Sequence, residues 1–181
     1  PGEVRKIKVE LRMIADVGLV GMPSVGKSTL INMISNCNAK IGAYHFTTLS
    51  PNLGVIKLKD QRTFVMADLP GLIEGASDGI GLGHEFLRHA MRTKVIAHVV
   101  DMGAEEGRNP NEDFKVILDE LNKYDERLGK KPHIVIANKM DLPNAKDNLD
   151  KFKKKFPSEK VFPVCAYLGE LKLLTSVMLV I

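Results

Sequence analysis

The sequence predicts an α/β fold with a mostly parallel, six-stranded sheet and helices on both faces. Two observations predict it. Short apolar runs rich in β-branched residues recur along the chain, and most are followed by a polar loop and a segment of helical periodicity. Buried strands that alternate with helices are typical of a three-layer sandwich with right-handed crossovers. In such a fold, the loops after the carboxyl ends of the strands gather into a ligand-binding crevice.

Six runs are predicted as strands and five segments as helices. The strands are Val17–Val20, Val55–Leu58, Thr63–Ala67, Val95–Val100, Ile134–Ala137 and Val161–Cys165. The helices are Lys27–Ser35, His84–Arg92, Asn111–Leu128, Ala145–Phe156 and Glu170–Val180. Ile7–Met13 alternates apolar and charged side chains, which favours a half-buried strand. We therefore expect residues 1–14 to be an incoming segment from an upstream domain, and residues 15–181 to form the domain proper.

Composition excludes several classes of protein. The chain has 181 residues, 44% hydrophobic and 27% charged, which suits one globular domain with a real core. Its net charge of +4 is too small by itself to indicate nucleic-acid binding. Two cysteines form neither a disulfide framework nor a zinc-binding pattern. No apolar run approaches the roughly 18 residues that a membrane span needs. We expect a cytoplasmic protein without a membrane span.

A complete phosphate-binding loop lies between the first strand and the first helix. It reads Gly21-Met22-Pro23-Ser24-Val25-Gly26-Lys27-Ser28, followed by Thr29, and matches G-x-x-x-x-G-K-[ST]. The glycines let successive main-chain N–H groups converge on a phosphate, and the helix N-terminus adds positive potential. Lys27 is placed to bridge β- and γ-phosphate oxygens, and Ser28 to bind Mg²⁺. A chance Gly-rich turn is the alternative, and the flanking strand and helix disfavour it. The fold is thus predicted to be that of a P-loop NTPase.

A second motif identifies the base. Asn138-Lys139-Met140-Asp141 follows the predicted strand Ile134–Ala137. Guanine presents N1–H and its 2-amino group side by side, so one carboxylate, that of Asp141, can accept from both. Adenine offers no such pair of donors, and an unpaired buried charge would penalise it. Asn138 can brace the phosphate loop, and the stem of Lys139 can cover the base. Together with the phosphate loop, this motif predicts GTP rather than ATP.

Two further elements fit the phosphate end of a nucleotide. Asp68-Leu69-Pro70-Gly71 follows a strand, so Asp68 can hold Mg²⁺ through water and the Gly71 N–H can reach the γ-phosphate. Phe46-Thr47-Thr48-Leu49 lies in a long loop, where a threonine hydroxyl can complete the magnesium shell when a γ-phosphate is present. Alone, the first would be an ordinary turn and the second an ordinary loop.

In this order, the four elements resemble those of the translation-factor-like P-loop GTPases. The sequences in and between them resemble the Obg family of ribosome-associated GTPases. The matching segments are Ala15–Gly21, Tyr44–Gly54, Asp68–Ala76, Gly79–Glu85 and Asp101–Pro110, and the resemblance extends from Ala15 to about Tyr167, nearly the whole chain. Residues 15–181 are accordingly expected to be a GTP-binding domain of the Obg type.

The resemblance implies a nucleotide site and its ligands. The nucleotide contacts would come from Gly21–Thr29, from Phe46, Thr47, Thr48, Leu49 and Ser50, from Asp68–Gly71, from Asn138–Asp141 and from Cys165, Ala166 and Tyr167. Mg²⁺ would be the cofactor, with Ser28 and Thr48 as ligands and Asp68 acting through water. Lys27, Thr48 and Gly71 would be the catalytic residues.

The sequence departs from related patterns at three positions. Cys165 stands where the family has serine, although the main-chain N–H of Ala166 can still donate to guanine O6. Leu72 stands where signalling GTPases place a water-orienting glutamine, so slow intrinsic hydrolysis is expected. Ser24 stands where potassium-stimulated GTPases carry asparagine, which leaves potassium activation open.

The function that the motifs and the resemblance predict is a slowly hydrolysing GTP switch. By resemblance it acts in assembly of the large ribosomal subunit and in stress or growth control, as a monomer. A guanosine polyphosphate alarmone is a further ligand that the resemblance implies. One alternative is a nucleotide-binding scaffold with negligible turnover, and another is an ATP-using P-loop enzyme, which Asp141 disfavours. Lys151, Lys153, Lys154 and Lys155 are interpreted as the solvated face of a helix, with an RNA-contacting patch as the competing hypothesis.

Overall fold

One mixed sheet organises the molecule. The structure, a computed structural model, describes residues 15–35, 52–58, 60–69 and 89–168. Within these residues the strands are β1 (Ala15–Val20), β2 (Asn52–Lys57), β3 (Thr63–Asp68), β4 (Thr93–Asp101), β5 (His133–Asn138) and β6 (Val161–Pro163). Their order is β2-β3-β1-β4-β5-β6, and all neighbours are parallel except β2 and β3. The predicted fold, a mostly parallel sheet of six strands, is confirmed.

Helices cover both faces of this sheet. They are α1 (Lys27–Ile34), α2 (Pro110–Tyr124), the single turn α3 (Glu126–Gly129) and α4 (Ala145–Lys155), with a 3₁₀ turn at Glu105–Gly107. Along β5, Ile134 and Ile136 pack on the face that α1 covers, whereas Val135 and Ala137 pack with α2 and α4 on the opposite face. The alternation follows from the two-residue period of a strand, and it explains why β5 is apolar from Ile134 to Ala137.

The prediction of one continuous helix over Asn111–Leu128 is wrong. The backbone is extended at Asp125, where φ is −158°, and its carboxylate accepts the main-chain N–H of Arg127 at 2.8 Å. A short acidic side chain that satisfies the free N–H groups of a new turn competes with continuation of the old one. The chain therefore ends α2 at Tyr124 and starts α3.

Other predicted boundaries differ by a few residues. β2 begins three residues earlier than predicted, at Asn52, and β6 ends at Pro163 rather than at Cys165. The predicted segments at residues 1–14 and 170–180 lie outside the described residues, as does most of His84–Arg92. None of the helices that the structure describes combines the length and apolarity needed to cross a membrane.

The strand order brings the polar motifs to one edge. β1 lies between β3 and β4, so the carboxyl ends of four parallel strands, β3, β1, β4 and β5, lie side by side. Asp68, Gly21, Asp101 and Asn138 end or directly follow these strands. A crevice at such an edge is where open α/β sheets bind their ligands.

One buried histidine makes the core sensitive to acid. His98 in β4 is 3% exposed, and its ring centroid lies 4.7 Å from that of Phe114. Burial lowers the pKa of His98 to about 3, and the positive charges of His133 and Lys27 add to this effect. In the unfolded chain, histidine has a pKa of about 6.5. The unfolded state therefore binds more protons between these values, and the free energy of unfolding falls as the pH drops through that range.

We predict that His98→Gln removes most of this acid sensitivity. Between about pH 7 and about pH 5, protonation of His98 in the unfolded chain costs the native protein about 2 kcal/mol, and glutamine has no such proton. Urea unfolding of both proteins at the two pH values measures the difference. The quantity compared is the change in the free energy of unfolding between the two pH values. It can be measured even if the variant is less stable than the wild type at neutral pH. An unchanged pH difference in the variant would contradict the assignment.

Candidate nucleotide-binding site

The loop between β1 and α1 has the backbone of an anion cradle. Gly26 takes a φ of +95°, and Ser24 also lies in the left-handed region, with a φ of +62°. A Cβ atom on Gly26 would lie 2.4 Å from Nδ2 of Asn138. Only glycine therefore fits at position 26, because both the backbone conformation and the neighbouring amide exclude a side chain.

The side chain of Lys27 folds back on the same loop. Its Nζ donates to the carbonyl oxygens of Gly21 and Met22, both at 2.9 Å. Burial lowers the pKa of Lys27, the carboxylate of Asp68 opposes that change, and the charge of Arg108 adds to it. The ammonium group is thus held at the centre of the loop with protein carbonyls as its partners.

Ser28 and Asp68 form the oxygen-rich part of the site. The hydroxyl of Ser28 donates to Oδ2 of Asp68 at 2.5 Å. Asp68 is 4% exposed, and its Oδ1 is buried without a hydrogen-bond partner among the described residues. A carboxylate and a hydroxyl that converge beside a phosphate loop are the hard oxygen donors that Mg²⁺ prefers. These two residues fit the cation, while the third predicted ligand, Thr48, lies outside the described residues.

Asn138 joins the two halves of the site. Its Nδ2 donates to the carbonyl oxygen of Val25 at 2.8 Å, and its Oδ1 accepts the main-chain N–H of Ala166 at 3.1 Å. The side chain is buried, as Asn138 is 2% exposed. The phosphate loop and the segment after β6 are therefore fastened to the same amide. The N–H of Ala166, predicted to donate to guanine, is paired here with Asn138.

The predicted specificity carboxylate has a neighbouring donor. The Cys165 thiol donates to Oδ1 of Asp141 at 3.0 Å. Burial raises the pKa of Cys165, and the hydrogen bond to the Asp141 carboxylate raises it further. The thiol therefore stays protonated at neutral pH and remains a donor to Asp141, which is itself exposed. The substitution of cysteine for the expected serine keeps a hydrogen-bond donor at this position.

Lys139 is held by two carboxylates that the sequence patterns did not indicate. It takes a left-handed backbone, with φ at +62°. Its Nζ lies 2.7 Å from Oδ2 of Asp101 and 3.1 Å from Oε2 of Glu105. Burial opposes the charge on Lys139, but these hydrogen bonds outweigh it and raise the pKa. Asp101 could have been found, because it follows an apolar strand at the same sheet edge, whereas nothing in the sequence distinguishes Glu105.

A cavity of about 290 Å³ lies between these elements. It is lined by eight of the predicted nucleotide-binding residues: Ser24, Gly26, Thr29, Asn138, Lys139, Asp141, Ala166 and Tyr167. Glu105 and Leu142 complete its wall. Of the other predicted residues, Phe46–Ser50, Pro70 and Gly71 lie outside the described residues. The structure thus brings together the loop, the Asn138–Asp141 motif and the segment after β6.

The sheet order, the loop between β1 and α1, and the polar residues along one edge define a P-loop NTPase domain. Residues 16–139 match the family model described as 50S ribosome-binding GTPase. The GTPase Obg of Staphylococcus saprophyticus is 63% identical over 161 residues, which cover 89% of this chain. The chain spans 37% of the length of that relative.

Solved structures share the fold at lower identity. Era of Aquifex aeolicus, crystallised with GDP.AlF4-, superposes with a TM-score of 0.65 at 24% identity, covering 91% of this chain and 56% of Era. The G domain of the T. maritima FeoB iron transporter superposes with a TM-score of 0.67 at 22% identity, covering 90% of this chain and 95% of that domain. The chain belongs to the 50S ribosome-binding GTPase family, and its predicted resemblance to Obg is confirmed.

We predict that Asn138→Ala destabilises the nucleotide-free protein by about 2–4 kcal/mol, because it leaves the buried Val25 carbonyl and Ala166 N–H without partners. Urea unfolding measures this loss. Asn122→Ala is the matched control: its amide donates to the Leu118 carbonyl on an exposed surface, at 2.9 Å, so the expected change is within about 0.5 kcal/mol. Equal losses in both variants would show that Asn138 does not brace the site.

Proposed function

We propose that this chain binds GTP and GDP with Mg²⁺ and hydrolyses GTP slowly to GDP and phosphate, as a molecular switch. The observation that carries the proposal is the pair of hydrogen bonds of the Asn138 side chain, which donates to Val25 and accepts from Ala166. They fasten the phosphate loop and the segment after β6 to the Asn138–Asp141 motif, beside one cavity. One ligand that carries a phosphate tail and a purine fits both halves at once.

The phosphate end is assigned to the loop and its neighbours. Hydrolysis of GTP depends less on covalent chemistry by the protein than on two other effects. The attacking water and the γ-phosphate must be positioned, and the negative charge that spreads over the phosphate oxygens must be neutralised. The N–H groups of residues 21–29 and the Lys27 ammonium group would supply positive charge. Ser28, Thr48 and Asp68, the last through water, would hold Mg²⁺, which neutralises phosphate oxygens when bound. Gly71, with Thr48, would sense the γ-phosphate.

The base end is assigned to the cavity around Asp141. Its carboxylate would accept from guanine N1–H and the 2-amino group, with the Cys165 thiol holding Oδ1 in position. Lys139 is held by Asp101 and Glu105 beside the cavity, so its stem can lie along the base. An adenine ring would leave this carboxylate unpaired, which favours guanine.

The wider role follows from the relatives. We infer that the protein acts with the large ribosomal subunit, because the matching family is described as 50S ribosome-binding. By resemblance to the Obg family, we further propose that it is a cytoplasmic monomer with a role in assembly of that subunit and in growth or stress control. A guanosine polyphosphate alarmone is a further ligand for the same base cavity.

We predict that wild-type protein binds GDP and GTP far more tightly than ATP, and that Asp141→Asn shifts the preference to xanthosine nucleotides. An amide donates to the O2 of xanthine where a carboxylate accepted from the amino group of guanine. Each change in affinity should be about 10- to 100-fold. Calorimetric titration with GDP, XDP and ADP measures it, and Asp119→Asn, an exposed carboxylate on α2, should change nothing. Equal affinity of wild-type protein for adenosine and guanosine nucleotides would overturn the proposal.

We predict slow turnover by the chain alone. Leu72 offers no side chain to orient the attacking water, so kcat in sodium buffer without partners should fall well below the roughly 1–100 s⁻¹ of kinases. Single-turnover release of phosphate measures it, with Lys27→Ala as the inactive control. A rate in the range of kinases would contradict the prediction. Release no faster than in the control would favour the alternative, a nucleotide-binding scaffold.

A further inference from the structure

The end of the molecule opposite the nucleotide site carries an excess of lysine. We define the basic corner as Lys151, Lys153, Lys154, Lys155 and Lys160, all of which are exposed. The helix α4 begins at Ala145, close to the site, and runs about 16 Å away from it to Lys155. The carbonyl oxygen of Lys160 accepts the N–H of Val135, near the amino end of β5. The corner therefore lies at the amino ends of the strands, away from the cavity.

Three acidic residues at this end of the fold are paired with side chains outside the corner. Asp125 pairs with Arg127 at 2.7 Å, Glu126 with Lys130 at 2.5 Å, and Glu159 with His133 at 2.6 Å. Among the described residues, no lysine of the basic corner has a carboxylate within ion-pair distance, although Asp147 and Asp150 lie on the same helix. Within that part of the chain, the corner is thus an excess of positive charge, with five lysines against two nearby aspartates.

Helix stability accounts for only part of this pattern. Lysines in the last turn interact favourably with the helix dipole, which explains Lys153–Lys155 in part. Asp147 and Asp150 stand four residues before Lys151 and Lys154, a favourable spacing. Lys151 and Lys155, however, are like charges four residues apart, and Lys160 lies beyond the helix. An anion that lies across the corner would remove this repulsion.

The basic corner is held on a rigid base. The ring of Phe156 lies 4.8 Å from those of Phe114 and Phe152, and Nζ of Lys155 lies 5.8 Å from the Phe156 ring. The apolar face of α4 is fully used in this packing, since Ala145, Leu149 and Phe152 are buried. The corner therefore offers charge without exposed apolar side chains. That combination suits a phosphate backbone, because contacts with phosphates need only positive charge.

We propose that the basic corner binds the phosphate backbone of RNA. Lysine contacts to phosphate give affinity without reading sequence, and they need only a fixed array of positive charges. The choice of RNA over other polyanions rests on the proposed ribosomal partner. The surface itself is independent of the nucleotide site, so RNA binding and GTP binding can fail separately.

The experiment compares two triple variants of the full chain with the same loss of charge. Lys151→Gln/Lys154→Gln/Lys155→Gln removes the corner. Lys57→Gln/Lys115→Gln/Lys146→Gln removes three exposed lysines elsewhere, one of them at the other end of α4. Binding to a labelled RNA hairpin of about 20 base pairs is measured between about 50 and 200 mM salt. The corner variant should bind at least about tenfold more weakly, with a salt slope smaller by about 3. The control should stay within about twofold of wild type.

Two further measurements keep the result interpretable. Lys151→Arg/Lys154→Arg/Lys155→Arg should bind RNA as wild type does, because it keeps the charge. Titration with GDP should give the wild-type affinity in all variants, which shows that they fold. Equal weakening of the corner and control variants would mean that only the net charge matters, and it would overturn the proposal. Undiminished RNA binding by the corner variant would also overturn the proposal. It would indicate that these lysines contact only solvent or an acidic protein.

Discussion

The two hydrogen bonds of the Asn138 side chain hold the functional edge of this fold together. One of them joins residues 113 positions apart in the chain, the other reaches the segment after β6, and the amide that makes both is buried. A buried amide with both ends satisfied is a geometric constraint as much as a source of stability, because neither partner can move without losing a bond. The close approach at Gly26 follows from it: the loop can pass this amide only where it carries no side chain.

The sequence predicted the parts of the site that depend on local patterns. The loop Gly21–Ser28 and the motif Asn138–Asp141 each follow an apolar strand, and strand order alone then brings them to one edge. It did not predict that Lys139 pairs with Asp101 and Glu105, since those contacts join segments more than thirty residues apart. It also missed the end of α2 at Asp125, where a capping side chain outweighed helical periodicity. Local chemistry competes with pattern at such points, and only the folded chain shows which one prevails.

Charge is divided between the two ends of the sheet. At the carboxyl ends of the strands, polar and charged groups are paired closely: Asp68 with Ser28, and Lys139 with Asp101 and Glu105. At the amino ends, Asp125, Glu126 and Glu159 are paired with an arginine, a lysine and a histidine, and no lysine of the basic corner forms an ion pair among the residues that the structure describes. The same helix, α4, connects the two ends, and the Phe114, Phe152 and Phe156 cluster fixes it to the sheet. A parallel sheet thus presents two chemically different surfaces with a rigid body between them.

The Lys27 ammonium group is oriented by its own loop. The carbonyl oxygens of Gly21 and Met22 accept two of its hydrogen bonds. An ammonium group has three N–H donors, so one remains for a phosphate oxygen. A phosphate that binds at this loop would therefore meet a cation whose long side chain is already held in place, and binding would cost less side-chain entropy.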